Sequence, residues 1–286
     1  MVKLRSLRVK HAIIRECMAE FVGTFVLLLF GLATVAQVRT SRFTKGDAMA
    51  PSMAFAVGVT SAMYLCKGVS GANLNPSVTF SFCVMGKMPW RKLAPYSLSQ
   101  LLGAYVAAGI VYLVYYDAIM DYSGGVLTVT GPNETASIFA TYPSEYLSLE
   151  NGFLDQVVGT AMLMLCILGL GEQRNTPVPE GLIPVVVGIV VFGLSISLSA
   201  NCGCAINPAR DLGPRLFTLS AGYGTEVFTS YNYWFWVPVV APTVGAVVGS
   251  FFYLLLIDWQ LPDPEPPEKT VEISTISHNE KLEISL

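Results

Sequence analysis

Apolar residues in this chain come in long runs rather than at amphipathic spacing. Six runs approach the ~20 residues that a helix needs to cross a hydrocarbon core. They fall at about 16–38, 48–66, 94–116, 153–171, 181–200 and 234–257. Two further apolar patches, near 75–85 and 207–219, are too short to span, and each is preceded by Asn-Pro. They predict re-entrant segments, which irregular backbone at membrane depth permits only beside protein or a watery cavity. The pattern predicts an all-α integral membrane protein of six transmembrane helices plus two re-entrant half-helices.

Composition agrees: 53% of the 286 residues are hydrophobic and 13% charged, against ~25% charged in soluble domains. The lipid bilayer is thus the first partner implied, and a net charge of −3 argues against nucleic acid. The distribution of cations orients the chain. Lys3, Arg5, Arg8, Lys10 and Arg15 precede the first run, Lys67, Lys87, Arg91 and Lys92 follow the second, and 117–152 holds no Lys or Arg. Both termini are therefore expected in the cytoplasm, with 117–152 outside; Arg39, Arg42 and Lys45 run against this assignment. Asn133-Glu134-Thr135 is a glycosylation sequon in that external loop, making Asn133 a modification candidate. The first run is too long for a cleaved signal segment. Six cysteines (17, 66, 83, 166, 202, 204) show no disulfide framework. Cys202-x-Cys204 lacks companion ligands, so neither metal nor cofactor is implied. The chain from Leu261 is proline-rich and acidic and reads as a disordered tail, whose Ile284-Ser285-Leu286 end has the alternation a PDZ groove accepts.

The two halves match in order. Glu20-Phe21-Val22-Gly23-Thr24 parallels Gln156-Val157-Val158-Gly159-Thr160, Asn75-Pro76 parallels Asn207-Pro208, and Leu102-Gly103-Ala104 parallels Val244-Gly245-Ala246. Each half has three spans, an odd number, so the second half sits inverted. The expected organisation is a tail over 1–15, a channel domain over 16–260 and a tail over 261–286. Within that domain the first repeat covers about 16–116, the external loop 117–152 and the second repeat about 153–260. Inverted repeats place their sites near the midplane, where the two half-helices meet.

Asn is a leading N-cap and Pro is favoured at the first helical position. Asn75-Pro76 and Asn207-Pro208 should each start a short helix whose positive dipole end faces the membrane centre, opposing cations there. Each Asn caps with its oxygen, and its NH₂ is expected to stay free for the lumen. Gly71, Ala72 and Asn73, and Gly203, Cys204 and Ala205, should be non-helical and line the path with carbonyls. The product would be a file of donors and acceptors suited to small neutral hydroxylated molecules.

Ser70-Gly71-Ala72-Asn73-Leu74-Asn75-Pro76-Ser77 and Asn207-Pro208-Ala209-Arg210 resemble the paired loops of the aquaporin (major intrinsic protein) family over about residues 11–260. Asp211 after Arg210, Pro238-Val239, and the loop from Gly124 to Asp155 resemble the glycerol-conducting branch. The resemblance implies six tilted helices plus two half-helices, a homotetramer with one pore per subunit, and residence in the plasma membrane. It implies passage of glycerol and water, with urea a further candidate. Family spacing puts the selectivity filter at Phe55, Ser195, Cys204 and Arg210. Water-selective relatives commonly carry His where this chain has Ser195, which implies a wider opening. Phe55 would face a polyol's carbon edge, and Arg210 would donate to its hydroxyls and repel cations. An Arg at membrane depth costs ~2.5–3.5 kcal/mol on insertion scales, which packing alone does not explain. Glu20 and Gln156 are expected to support the two loops.

Three departures stand out. Ser77 replaces the family's Ala, and its hydroxyl is expected to bond its own helix. Asn73 stands where many relatives have His; His11 and His278 are the chain's only histidines, so no histidine switch is expected in the pore. Cys204 should make the constriction accessible to thiophilic metals. A water-selective channel and an ion-coupled secondary transporter are the alternatives. The transporter would need ionisable groups within the spans, where Glu20 and Asp155 nearly stand alone. No nucleophile, metal or paired-carboxylate set at membrane depth suggests an enzyme.

Overall fold

The computed structural model describes residues 8–263. The distal parts of both tails, with Lys3, Arg5, His278 and the Ile284–Leu286 end, lie outside the described residues. The membrane helices are α1 (Ala12–Thr40), α2 (Met49–Ser70), α3 (Pro76–Val84) and α4 (Leu93–Val114) in the first half. A short helix, α5 (Tyr116–Ser123), follows. The second half holds α6 (Leu149–Leu170), α7 (Ile183–Leu198), α8 (Pro208–Ser220), a broken helix α9 (Glu226–Tyr233) and α10 (Val237–Leu256).

Among the described residues, five elements contain helices long and apolar enough to cross a membrane; α7, at 16 residues, is the short sixth. Its apolar run extends farther than its helix because Pro184 sits at the first turn and the chain leaves helical hydrogen bonding after Leu198. Neither α5 nor α9 appears in the hydropathy pattern. α5 is amphipathic and begins with Tyr116 and Asp117, while α9 is mostly polar and aromatic.

Equivalent contacts repeat in the two halves. α1 packs on α2 and α4, and α6 packs on α7 and α10. Each half-helix crosses to the other half, α3 onto α10 and α8 onto α4. Two glycines set the close approach that small residues permit between membrane helices. A Cβ at Gly103 would lie 2.4 Å from the Phe21 carbonyl oxygen, and one at Gly245 would lie 2.3 Å from that of Val157. These are matched positions of the repeat, so any side chain there would separate α4 from α1 or α10 from α6. With the third helix drawn in on each side, the two half-helices meet end to end.

Candidate functional site

Each half-helix starts where the backbone chemistry demands. Asn75 Oδ1 accepts from the Ser77 amide at 2.9 Å. Asn207 Oδ1 accepts from the Ala209 and Arg210 amides at 3.0 and 3.3 Å. Pro76 and Pro208 occupy the first turns, where a missing N–H costs nothing. The residue before each Asn is held at positive φ, Leu74 at 57° and Ile206 at 37°. Such conformations cost ~1–3 kcal/mol each and persist only where the surroundings over-determine them.

That over-determination comes from both sides. The Leu74 amide donates to Glu20 Oε2 at 2.8 Å, and the Ile206 amide donates to Gln156 Oε1 at 3.1 Å. Asn75 Nδ2 donates to the Ile206 carbonyl and Asn207 Nδ2 to the Leu74 carbonyl, both at 2.8 Å. The asparagine amides are therefore not wholly free. One N–H of each is held by the opposite loop, and one remains for a molecule in the lumen. The repeat's pairing shows in sequence, but a bond between residues 131 apart needs the folded chain.

The supports have further partners. Glu20 Oε1 accepts from the Asn73 amide at 2.9 Å and the Ser70 hydroxyl at 2.6 Å, and Oε2 accepts from Gln100 Nε2 at 2.7 Å. Gln156 Nε2 donates to the Gly203 carbonyl at 2.9 Å and Asp155 Oδ1 at 3.0 Å. Both supports are buried, Glu20 at 0% and Gln156 at 1% exposure. Asn73 donates to the Thr79 hydroxyl at 3.1 Å. The Ser77 hydroxyl pairs with that of Thr243 on α10 at 3.1 Å rather than within its own helix. It thus adds a bond across the two halves.

A cavity of about 450 Å³ runs past these loops. Its walls include Ala48 and Ser52 at one end of α2 and Lys67 at the other. The 22-residue helix is ~33 Å long at 1.5 Å per residue, so the cavity passes through the membrane-spanning part. Gly71, Ala72, Asn73, Asn75, Gly203, Cys204, Ala205 and Asn207 line it, together with Phe55, Ser195 and Arg210. Pro76, Ser77, Pro208, Ala209, Asp211, Glu20 and Gln156 stand behind this wall. Asn133 is exposed in the loop between α5 and α6.

Phe55 and Arg210 pack against each other on the cavity wall. The Arg210 guanidinium lies 4.8 Å from the Phe55 ring centroid, and its Nη1 donates to the Phe139 carbonyl at 2.9 Å. Part of its donor set is thus committed to the loop between α5 and α6, which fixes the remainder in direction. Asp211 faces away from the lumen and clamps the same loop. Its Oδ2 accepts from the Thr141 amide at 2.7 Å and the Thr141 hydroxyl at 2.5 Å. Oδ1 accepts from Arg215 Nε at 2.8 Å, while Arg215 donates onward to the Thr141 and Val227 carbonyls. Asp211 and Arg215 are fully buried, so each needs the other. Sequence reasoning missed Arg215, Thr141 and Phe139; the four-residue Asp-Arg spacing on one helix face was the available signal.

A family model described as "Major intrinsic protein" matches residues 7–253. The chain belongs to this family. It is 53% identical to Aquaporin-10 of Homo sapiens over 272 residues, covering 95% of this chain and 90% of that relative. Aquaporin-9 of Homo sapiens is 44% identical over 282 residues, covering 99% and 95%. Aquaporin-7 of Mus musculus is 46% identical over 253 residues, covering 88% and 83%. Among solved structures, the X-ray structure of the aquaglyceroporin from Plasmodium falciparum matches with a TM-score of 0.78 at 30% identity. That match covers 86% of this chain and 98% of the other. As a member of this family the chain is a multi-pass membrane protein with an inverted repeat of six helices and two half-helices.

Proposed function

We propose that the protein is a passive channel for glycerol and water. The observation that carries this reading is a cavity lined by Phe55, Arg210, Cys204 and Ser195 that continues past two opposed half-helix N-termini. Glycerol has one carbon edge and one hydroxyl edge. Phe55 offers an apolar face, Arg210 fixed donors, and the lumen N–H groups of Asn75 and Asn207 a second pair of donors at the half-helix N-termini. Two positive dipole ends and Arg210 oppose cations, including hydrated protons. Urea, small and neutral, fits the same donor and acceptor file. The aquaglyceroporin relatives support this assignment.

In this reading Phe55, Ser195, Cys204 and Arg210 are the selectivity filter, and Asp211 holds Arg210 through the external loop. Glu20 and Gln156 are loop supports. The chain performs no covalent chemistry. It resides in the plasma membrane as a homotetramer with both termini in the cytoplasm, and Asn133, exposed on the external loop, is glycosylated.

Reconstitution into liposomes tests the channel. Glycerol and water permeability should both rise well above empty vesicles and be independent of ion gradients. Ser195→His should narrow the opening, suppressing glycerol flux while water flux persists. Unchanged glycerol flux in Ser195→His would remove Ser195 from the filter.

A further inference from the structure

Hydroxyl side chains on these helices usually bond to their own backbone. Ser99, Thr160, Ser199 and Thr243 each donate to the carbonyl four residues earlier, at 2.5–2.9 Å. Ser195 does not. Its hydroxyl instead donates across to Ser52 Oγ on α2 at 2.9 Å. Ser52 is 4% exposed and Ser195 8% exposed, and both line the cavity. Ser52 lies one helical turn before Phe55, so the two share a face of α2.

We propose that Ser52 is a positioning residue for solute selectivity, acting through Ser195; this rests on the channel reading above. With its proton committed to Ser52, Ser195 presents only lone pairs to the lumen. The filter then holds a fixed acceptor as well as the fixed donors of Arg210. A polyol with neighbouring hydroxyls can donate to one and accept from the other while its carbon edge lies on Phe55. Water needs neither contact in a fixed orientation, since it reorients freely. Without Ser52, Ser195 has the option its neighbours use, the carbonyl of Val191 on its own helix. That rotation moves the acceptor out of the filter.

The test is a double-mutant cycle in proteoliposomes, reading the ratio of glycerol to water permeability. Ser52→Ala and Ser195→Ala should each lower the ratio by about threefold, the order of one neutral hydrogen bond. The double variant should lower it no further. Water permeability per protein reports an open, folded pore in every variant. An unchanged ratio in Ser52→Ala, or independent losses that multiply in the double variant, would overturn the proposal. A wild-type protein without glycerol flux would instead overturn the channel reading itself, so the two failures are distinct.

Discussion

The two pore loops do the same mechanical work with different supporting chemistry. The first hangs on Glu20, a carboxylate that receives four donors: two backbone amides, the Ser70 hydroxyl and the Gln100 amide. The second hangs on Gln156, which accepts from one backbone amide and donates to one backbone carbonyl. The difference follows from what each loop turns toward its support. The first presents N–H and O–H groups, so an acceptor-only group satisfies it. The second presents the Ile206 amide and the Gly203 carbonyl together, and the Gln156 amide, with both a donor and an acceptor, serves both. A carboxyl group lies one residue away, on Asp155, which accepts from Asn201 Nδ2 at 2.8 Å. An inverted repeat thus preserves geometry while leaving each copy free to choose its polarity.

Breaking the first support should have the largest effect. Glu20→Ala strands buried donors, each costing ~1–3 kcal/mol when left unsatisfied. The folded yield in detergent should fall severely and thermal stability with it. Next comes exchange of the two chemistries. Gln156→Glu places a carboxylate against Asp155 and the Gly203 carbonyl, a repulsion that should cost roughly 1–3 kcal/mol. Asp155→Asn should restore part of that loss. Thermal melting of Gln156→Glu with and without Asp155→Asn reads this directly. If Gln156→Glu is as stable as wild type, the polarity of the loop does not decide its support.

A third test exploits the thiol that only the second loop brings to the lumen. Cys204 lines the cavity at the position where the first loop has Ala72, whereas Cys202 is buried at 1% exposure. Mercurials should inhibit flux, and Cys204→Ala should relieve the inhibition. Persistent inhibition would assign it to another cysteine.

The smallest effect concerns the joint after α6. Glu172 bonds Arg174, which also pairs with Asp258 beyond α10. The hydrogen bond from Arg174 holds the Glu172 carboxyl down at about 2. A depressed folded-state value means that this stabilisation is complete above the unfolded range near 4.5 and fades as pH falls toward 2. Between pH 5 and 8 this pair keeps its charge, and no histidine is among the residues lining the cavity. Stability and flux of wild type and Glu172→Gln should run parallel there, with at most a small offset. A steep flux transition in that window surviving replacement of His11 would point to another titrating group.

Much of the fold was legible because membrane burial leaves a plain mark. Long apolar runs identify spanning helices, and Asn-Pro beside a short run identifies a helix that begins at depth. The repeat was readable from Gly103 and Gly245 as much as from the loops, since both are small for the same steric reason. Polarity that closes between distant segments was not legible. The carbonyl of Phe139 that aims Arg210 has no side-chain signature, and Thr141 looks like any loop threonine. Ser52 reads as a polar residue at a helix end until Ser195 is seen against it. The asparagine amides were misjudged for the same reason: their second partners are carbonyls contributed by the other half.

Those crossed amide bonds also set an order of events during synthesis. The first loop can dock on Glu20 while the first half is being made, but the Leu74 carbonyl has no Asn207 to meet it. The partner lies 133 residues downstream, a wait of roughly 7–27 s at ~5–20 residues per second. Until then the nascent membrane segment holds a strained residue with one side unsecured. The seam at the middle of the pore can therefore close only after the second half-helix has been made.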